Sequence, residues 1–135
     1  MEKILRIEEL NGFKVEGDQY EMDEYDGFVI VTDQQTIKIG ISNGQSCCES
    51  FGCLITNDNT KEFIGAKLLS IAIVDNQLDT KKIEALEYLG EGGAMFVNLE
   101  TNNGTLQFVA YNAHNGYYGH DAVLVSKQLT ESRGL

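Results

Sequence analysis

Residues 94–111, which read AMFVNLETNNGTLQFVAY, say more about the fold than any other stretch of the chain. Two runs, 94–100 and 105–111, flank the polar sequence Thr101-Asn102-Asn103-Gly104. Apolar side chains recur at alternate positions in both runs, as they do in half-buried strands, and Asn-Gly is typical of tight hairpin turns. The stretch therefore predicts a β-hairpin, whose buried face consists of Met95, Val97, Leu99, Leu106, Phe108 and Ala110.

Weaker strand patterns lie on both sides of this hairpin. Residues 28–32 and 36–41 predict a second hairpin, whose second strand has the inward residues Ile37, Ile39 and Ile41. An N-terminal hairpin around Asn11-Gly12 is predicted from 3–8 and 12–16, and single strands are predicted at 66–74 and 122–126.

Two segments have helical signals. Asn59 and Glu62 resemble a capping box before a short helix that Gly65 ends. Residues 80–89 place Ile83, Leu86 and Leu89 on one helical face. We therefore expect an α+β fold, a largely antiparallel twisted β-sheet with two short helices.

The length of 135 residues is that of a single domain, and its composition is that of a soluble globular protein. We divide the predicted domain, 1–135, into an N-terminal hairpin and acidic loop (1–26), a core (27–127) and a polar tail (128–135). The acidic loop at 16–26 reads as a solvated loop, with an acidic finger for a basic partner or a calcium loop as alternatives.

The charge is strongly negative, because 21 Asp and Glu outnumber ten Lys and Arg and give −11 at pH 7. Such a surface repels nucleic acid and anionic lipid, so we expect no direct nucleic-acid or membrane binding. A protein with a basic groove is still a suitable partner. The odd set Cys47, Cys48 and Cys53 and the absence of a signal-peptide pattern predict a cytoplasmic protein.

Two segments are rich in groups that bind small molecules. The first, 40–52 (GISNGQSCCESFG), ends a predicted strand with small, polar and thiol side chains. The second, 111–121 (YNAHNGYYGHD), contains both histidines and three of the six tyrosines. A strand-to-helix turn and a long hairpin loop are the purely structural interpretations. The candidate ligand-binding residues are Ser42, Asn43, Gln45, Cys48, Glu49, Tyr111, Asn112, His114, Asn115, Tyr117, Tyr118 and His120.

No catalytic residue is assigned from the sequence, and we expect no cofactor. An enzyme is the alternative: zinc or iron held by Cys48, Glu49, His114 and His120, or a thiol activated by a histidine. The glycine-rich segments do not match a phosphate-binding loop. Lys and Arg are absent between Lys38 and Lys61 and between Lys82 and Lys127, so a nucleobase or sugar suits the two segments better than a pyrophosphate.

The strings at 40–52 and 105–120 resemble a family of small phage-encoded proteins of undefined function, and the resemblance covers residues 27–127. It implies a counter-defence role inside the host cell, by sequestering a nucleotide second messenger or by occupying a defence nuclease.

We therefore expect a non-catalytic binding protein that holds a small nucleotide-derived ligand in a polar and aromatic pocket. The second alternative to this function, besides the metal or thiol enzyme, is an acidic inhibitor of a host defence nuclease. A homo-oligomer that brings in Lys or Arg from a neighbouring subunit would compensate for the missing positive charge.

Overall fold

A computed structural model describes residues 2–15, 24–44, 50–57, 59–74, 93–113 and 119–135. Within these ranges the chain forms nine strands and one 3₁₀ turn, Thr60–Phe63. The strands are β1 Ile4–Phe13, β2 Tyr25–Thr32, β3 Thr36–Ser42, β4 Ser50–Ile55, β5 Leu68–Val74, β6 Gly93–Thr101, β7 Gly104–Ala113, β8 Asp121–Val125 and β9 Thr130–Gly134.

The predicted α+β class is wrong. Strands make up 71% of the described residues, and none of those residues is in an α-helix. At 59–65 the Asn59 side chain caps the segment as predicted, by accepting a hydrogen bond from Lys61 N. Only five residues separate Asn59 from Gly65, which turns the chain with φ 84°, and these are too few to propagate an α-helix, so a four-residue 3₁₀ turn forms. The predicted helix at 80–89 lies outside the described residues.

The strands form two antiparallel sheets around one main core. The first has the order β1-β2-β3-β8-β9 and the second the order β4-β7-β6-β5. Alternate residues of both sheets point into the same cluster, which includes the predicted faces of both hairpins. Both predicted hairpins, β2-β3 and β6-β7, are therefore confirmed in pairing and in inward face.

Two terminal predictions are wrong. Asn11-Gly12 does not reverse the chain, because β1 runs through it and pairs along its length with β2. Gly12 instead takes a φ of 72° at an irregularity in that pairing, as a glycine does in a β-bulge. The polar tail at 128–135 forms β9, which pairs with β8. Its side chains carry no apolar alternation, since β9 is exposed along its length.

Two facing glycines lie where the end of β1 packs on the outer face of the first sheet. Gly27 and Gly40 lie opposite each other on β2 and β3. A Cβ on Gly40 would lie 2.6 Å from the Phe13 ring, and one on Gly27 would collide with the main-chain oxygen of Ile39. Phe13 stacks on Tyr25 with ring centroids 5.7 Å apart. The missing side chain of Gly40 thus leaves the space that the Phe13 ring occupies, and that of Gly27 lets β2 and β3 approach closely.

The connections between strands differ at the two ends of the molecule. At one end, which we call the turn end, the chain reverses through 33–35, 56–67, 102–103 and 126–129. At the other, the loop end, the connections are 14–24, 43–49, 75–92 and 114–120. The pairs Tyr25 with Ser42, Ser50 with Ala113 and Gly93 with Asn112 fix this arrangement. Among the described residues, no helix is long and apolar enough to cross a membrane.

Candidate functional site

Ser42, the last residue of β3, is joined to the start of β8 by both its side chain and its carbonyl group. Its Oγ accepts a hydrogen bond from the main-chain N–H of Asp121 at 2.9 Å. Its carbonyl oxygen lies 2.5 Å from Nδ1 of His120. Because a carbonyl oxygen only accepts, the proton of this bond lies on Nδ1. This bond holds the imidazole in one orientation.

The His120 ring also packs on the second sheet. It stacks on Phe51 of β4, with centroids 3.9 Å apart and planes 20° apart, and only 3% of the residue is exposed. The main chain of His120 exchanges hydrogen bonds with Leu135, beyond the end of β9. His120 thus connects β3, β4 and the β8-β9 hairpin at one point.

Asn112 of β7 completes this arrangement. It is fully buried, and its Nδ2 donates to the Leu135 carbonyl oxygen at 3.0 Å. That oxygen therefore receives a bond from the second sheet and one from His120 of the first. We call the group Ser42, Phe51, Asn112, His120 and Leu135 the junction.

Tyr111 is not part of the junction, because it lies on the opposite face of β7. There it packs with Phe96 and Val109. Its ring covers Gly52, where an added Cβ would be 3.1 Å from the tyrosine Oη. This candidate residue therefore has a packing role on the outer face of the second sheet.

Asn43 links the junction to the acidic segment. Its main-chain N–H donates to the Glu24 carbonyl oxygen at 2.9 Å, and its Nδ2 donates to Asp26 Oδ1 at 2.7 Å. The same oxygen accepts the N–H of Gly12 at 3.0 Å. The last residues of the acidic segment are thereby held beside Ser42.

Seven candidate residues and Cys47 lie outside the described residues. The candidates are Gln45, Cys48, Glu49, His114, Asn115, Tyr117 and Tyr118. The chain on both sides of them is described: Ser42 contacts His120, and Ser50 pairs with Ala113. The described residues that flank 45–49 and 114–118 therefore lie in or beside the junction.

Cys53, two residues after Phe51 on β4, is partly buried and packs against the main core. Its sulfur lies 3.9 Å from the Ile39 carbonyl oxygen, between the two sheets, and burial raises the pKa of the thiol to about 12. A protonated thiol is a poor nucleophile and metal ligand. Within the part of the chain that the structure describes, no three His, Cys, Asp or Glu side chains are grouped closely enough to hold a metal ion.

The sequence interpretation missed Phe51 and Leu135. Phe51, Cys53 and Ile55 alternate toward the core, so the sequence contains the apolar alternation of a strand here. This alternation follows directly on a polar run, and the two were interpreted together as a polar segment. Leu135 has no local signal, since its role depends on the pairing of β9 with β8.

Comparison with known proteins gives one family. A family model described as a domain of unknown function (DUF7448) matches residues 2–124. The match includes residues 2–26, a region that the resemblance to phage proteins left out. The curated proteins and the solved structures gave no match.

Proposed function

The chain belongs to this DUF7448 family, whose function is undefined. We propose that it is a non-catalytic binding protein that holds a small nucleotide-derived ligand at its loop end. In this proposal the ligand lies between 45–49 and 114–118. A phage-type counter-defence role, in the host cytoplasm, is the biological setting that we propose for it.

The junction is the observation that supports this proposal. It holds the described ends of both segments together through the Ser42 carbonyl bond to His120 and the stacking of His120 on Phe51. Binding groups are commonly carried by loops that a rigid sheet positions. The segment 114–118 supplies tyrosine, asparagine and histidine and the segment 45–49 supplies small polar and thiol groups, which together suit a ligand of nucleoside size.

The junction also divides the candidates by role. Ser42, Asn112 and His120 are buried and bond to main-chain groups, which makes them positioning residues in this proposal. Contact with the ligand would come from the loop residues, with stacking by Tyr117 and Tyr118. Because these loops contain no Lys or Arg, we propose recognition of the base and ribose rather than of a pyrophosphate.

Two measurements test the proposal. The first is native mass spectrometry of the purified protein, and the second is calorimetric titration with a panel of nucleosides and cyclic nucleotides. We expect a retained or titrated ligand, and loss of binding in Tyr117→Ala/Tyr118→Ala with the unfolding midpoint unchanged. Tyr20→Ala, a matched change outside the two segments, should still bind. Equal binding by the wild type and the double variant would contradict the proposed site.

An acidic inhibitor of a basic protein is the second candidate, and the contact of Asn43 with Glu24 and Asp26 favours it. Through this contact the acidic segment 16–26 is anchored at the loop end. Of the 21 acidic residues, eleven lie in the four connections of the loop end, against three of the ten Lys and Arg. Such an asymmetry suits a basic groove that normally holds nucleic acid.

The second candidate is tested by measuring the inhibition of a panel of defence nucleases at about 50 and about 300 mM NaCl. We expect weaker inhibition at the higher concentration, because binding through exposed charges weakens with salt. We expect Asp18→Asn/Glu21→Gln/Asp23→Asn to lose inhibition. Glu8→Gln/Glu9→Gln/Glu62→Gln removes the same charge elsewhere and should retain it. Equal inhibition by the two triple variants would show that the acidic segment is not the inhibitory surface.

A further inference from the structure

The outer side of β9 is an open edge of the first sheet. β9 pairs with β8 on one side, and no other described strand pairs with it. All five of its residues, Thr130–Gly134, are exposed, so the described part of the chain leaves this edge accessible. An exposed edge presents main-chain N–H and C=O groups that can pair with another strand.

The hydrogen bonds at both ends of the β8-β9 hairpin identify which of these groups face outward. Ser126 with Leu129, and His120 with Leu135, are bonded through their main chains. Bonded and non-bonded pairs alternate along antiparallel strands, so residues 131 and 133 bond to β8. The main-chain groups of Thr130, Ser132 and Gly134 therefore point away from β8.

We propose that β9 pairs antiparallel with β9 of a second copy of this chain, centred on Ser132. This register pairs Ser132 with the partner's Ser132, and Thr130 with the partner's Gly134, which are the positions whose main-chain groups face outward. Glu131 then lies opposite the partner's Arg133, and the symmetry repeats the contact. These are the non-bonded pairs, in which side chains approach most closely.

Charge complementarity favours a second copy over a different protein. The sequence Thr-Glu-Ser-Arg-Gly is complementary to itself when it is reversed about the serine. Glu131 and Arg133 already lie on one face, with Arg133 Nε 3.5 Å from Glu131 Oε2 and both side chains 43% exposed. Edge charges more commonly block pairing, but in this register every such charge meets its opposite.

Five residues form a small interface, so we expect a reversible dimer whose population rises with concentration. Antiparallel pairing turns the two loop ends away from each other. The dimer therefore leaves both loop ends accessible, and this inference is independent of the proposed function.

Sedimentation velocity of the wild type between about 10 µM and about 1 mM should show a concentration-dependent dimer. Glu131→Arg and Arg133→Glu each place like charges opposite one another, so each should weaken self-association roughly tenfold or more. An equimolar mixture of these two variants restores opposite charges at both contacts and should form a heterodimer. Glu62→Arg, the same charge change at the turn end, should leave association unchanged.

Ser132→Pro tests the main-chain bonds, because proline removes the central outward N–H while an edge strand tolerates it. We expect a monomer with the unfolding midpoint of the wild type. A monomeric wild type throughout this range, or a mixture of the charge variants that stays monomeric, would overturn the proposal. A dimer that survives both Ser132→Pro and the charge changes would place the interface elsewhere.

Discussion

At the scale of single residues, burial sets the chemistry of Cys53. In an exposed position the thiol has a pKa of 9.0, whereas burial between the sheets raises the pKa to about 12. The folded protein therefore keeps the proton that the unfolded chain loses above pH 9. This contribution to the free energy of unfolding is fully present below pH 9 and is lost as the pH rises toward 12.

We predict that Cys53 resists alkylation in the native state. In a Cys47→Ser/Cys48→Ser background, iodoacetamide at about pH 8 should label native Cys53 roughly 100-fold more slowly than the urea-unfolded chain, because thiolate is the reactive form. Mass spectrometry of timed samples gives both rates, and the triple serine variant gives the blank. Similar rates in the two states would show that the thiol is accessible.

Inward residues were predictable from the sequence, whereas the hydrogen-bond partners of His120 and Asn112 were not. Ile39 and Phe108 follow a local alternation that identifies a buried face. His120 and Asn112 were predicted as ligand contacts because of their chemistry. Their hydrogen bonds to Ser42 and Leu135 depend on residues far away in the chain, and no local pattern encodes them.

At the scale of elements, local signals identified hairpins and failed at edges. The strands β6 and β7 carry alternation, a turn sequence and a short connection that agree with one another. β9 was missed because an exposed edge strand needs no apolar side chains, so its sequence looks like a tail. Asn11-Gly12 was misassigned because the same dipeptide suits a bulge within a strand as well as a turn.

We predict that Gly27→Ala destabilises the protein by about 2–4 kcal/mol, because its Cβ meets main-chain atoms that cannot move independently. The substitution would push β3 away from β2 and disturb the packing of Phe13 on the facing glycine, Gly40. Gly119→Ala is the matched control: its nearest atom would be 3.7 Å away, so we expect a change within about 0.5 kcal/mol. Urea unfolding measures both, and equal losses would disprove the proposed role of the glycine pair.

At the scale of the whole molecule, charge opposes folding. A net charge of −11 on 135 residues repels itself in the compact state, and salt screens this repulsion. We predict that raising NaCl from about 10 mM to about 500 mM increases the Tm by several degrees. The variant Asp18→Asn/Glu21→Gln/Asp23→Asn should respond less. Calorimetry measures both shifts, and a Tm that is flat or falls with salt would contradict the prediction.

The strand pairs that close both sheets at the loop end have a consequence for how this protein can change over generations. The pairs Tyr25 with Ser42, Ser50 with Ala113 and Gly93 with Asn112 lie at the very ends of their strands, so residues within the strands set the register of both sheets. A connection that joins two such paired ends can gain residues at small entropic cost, because the cost of closing a loop grows only slowly with its length. Natural selection can therefore lengthen the connections of the loop end while the paired strands keep their register, which makes the architecture evolvable.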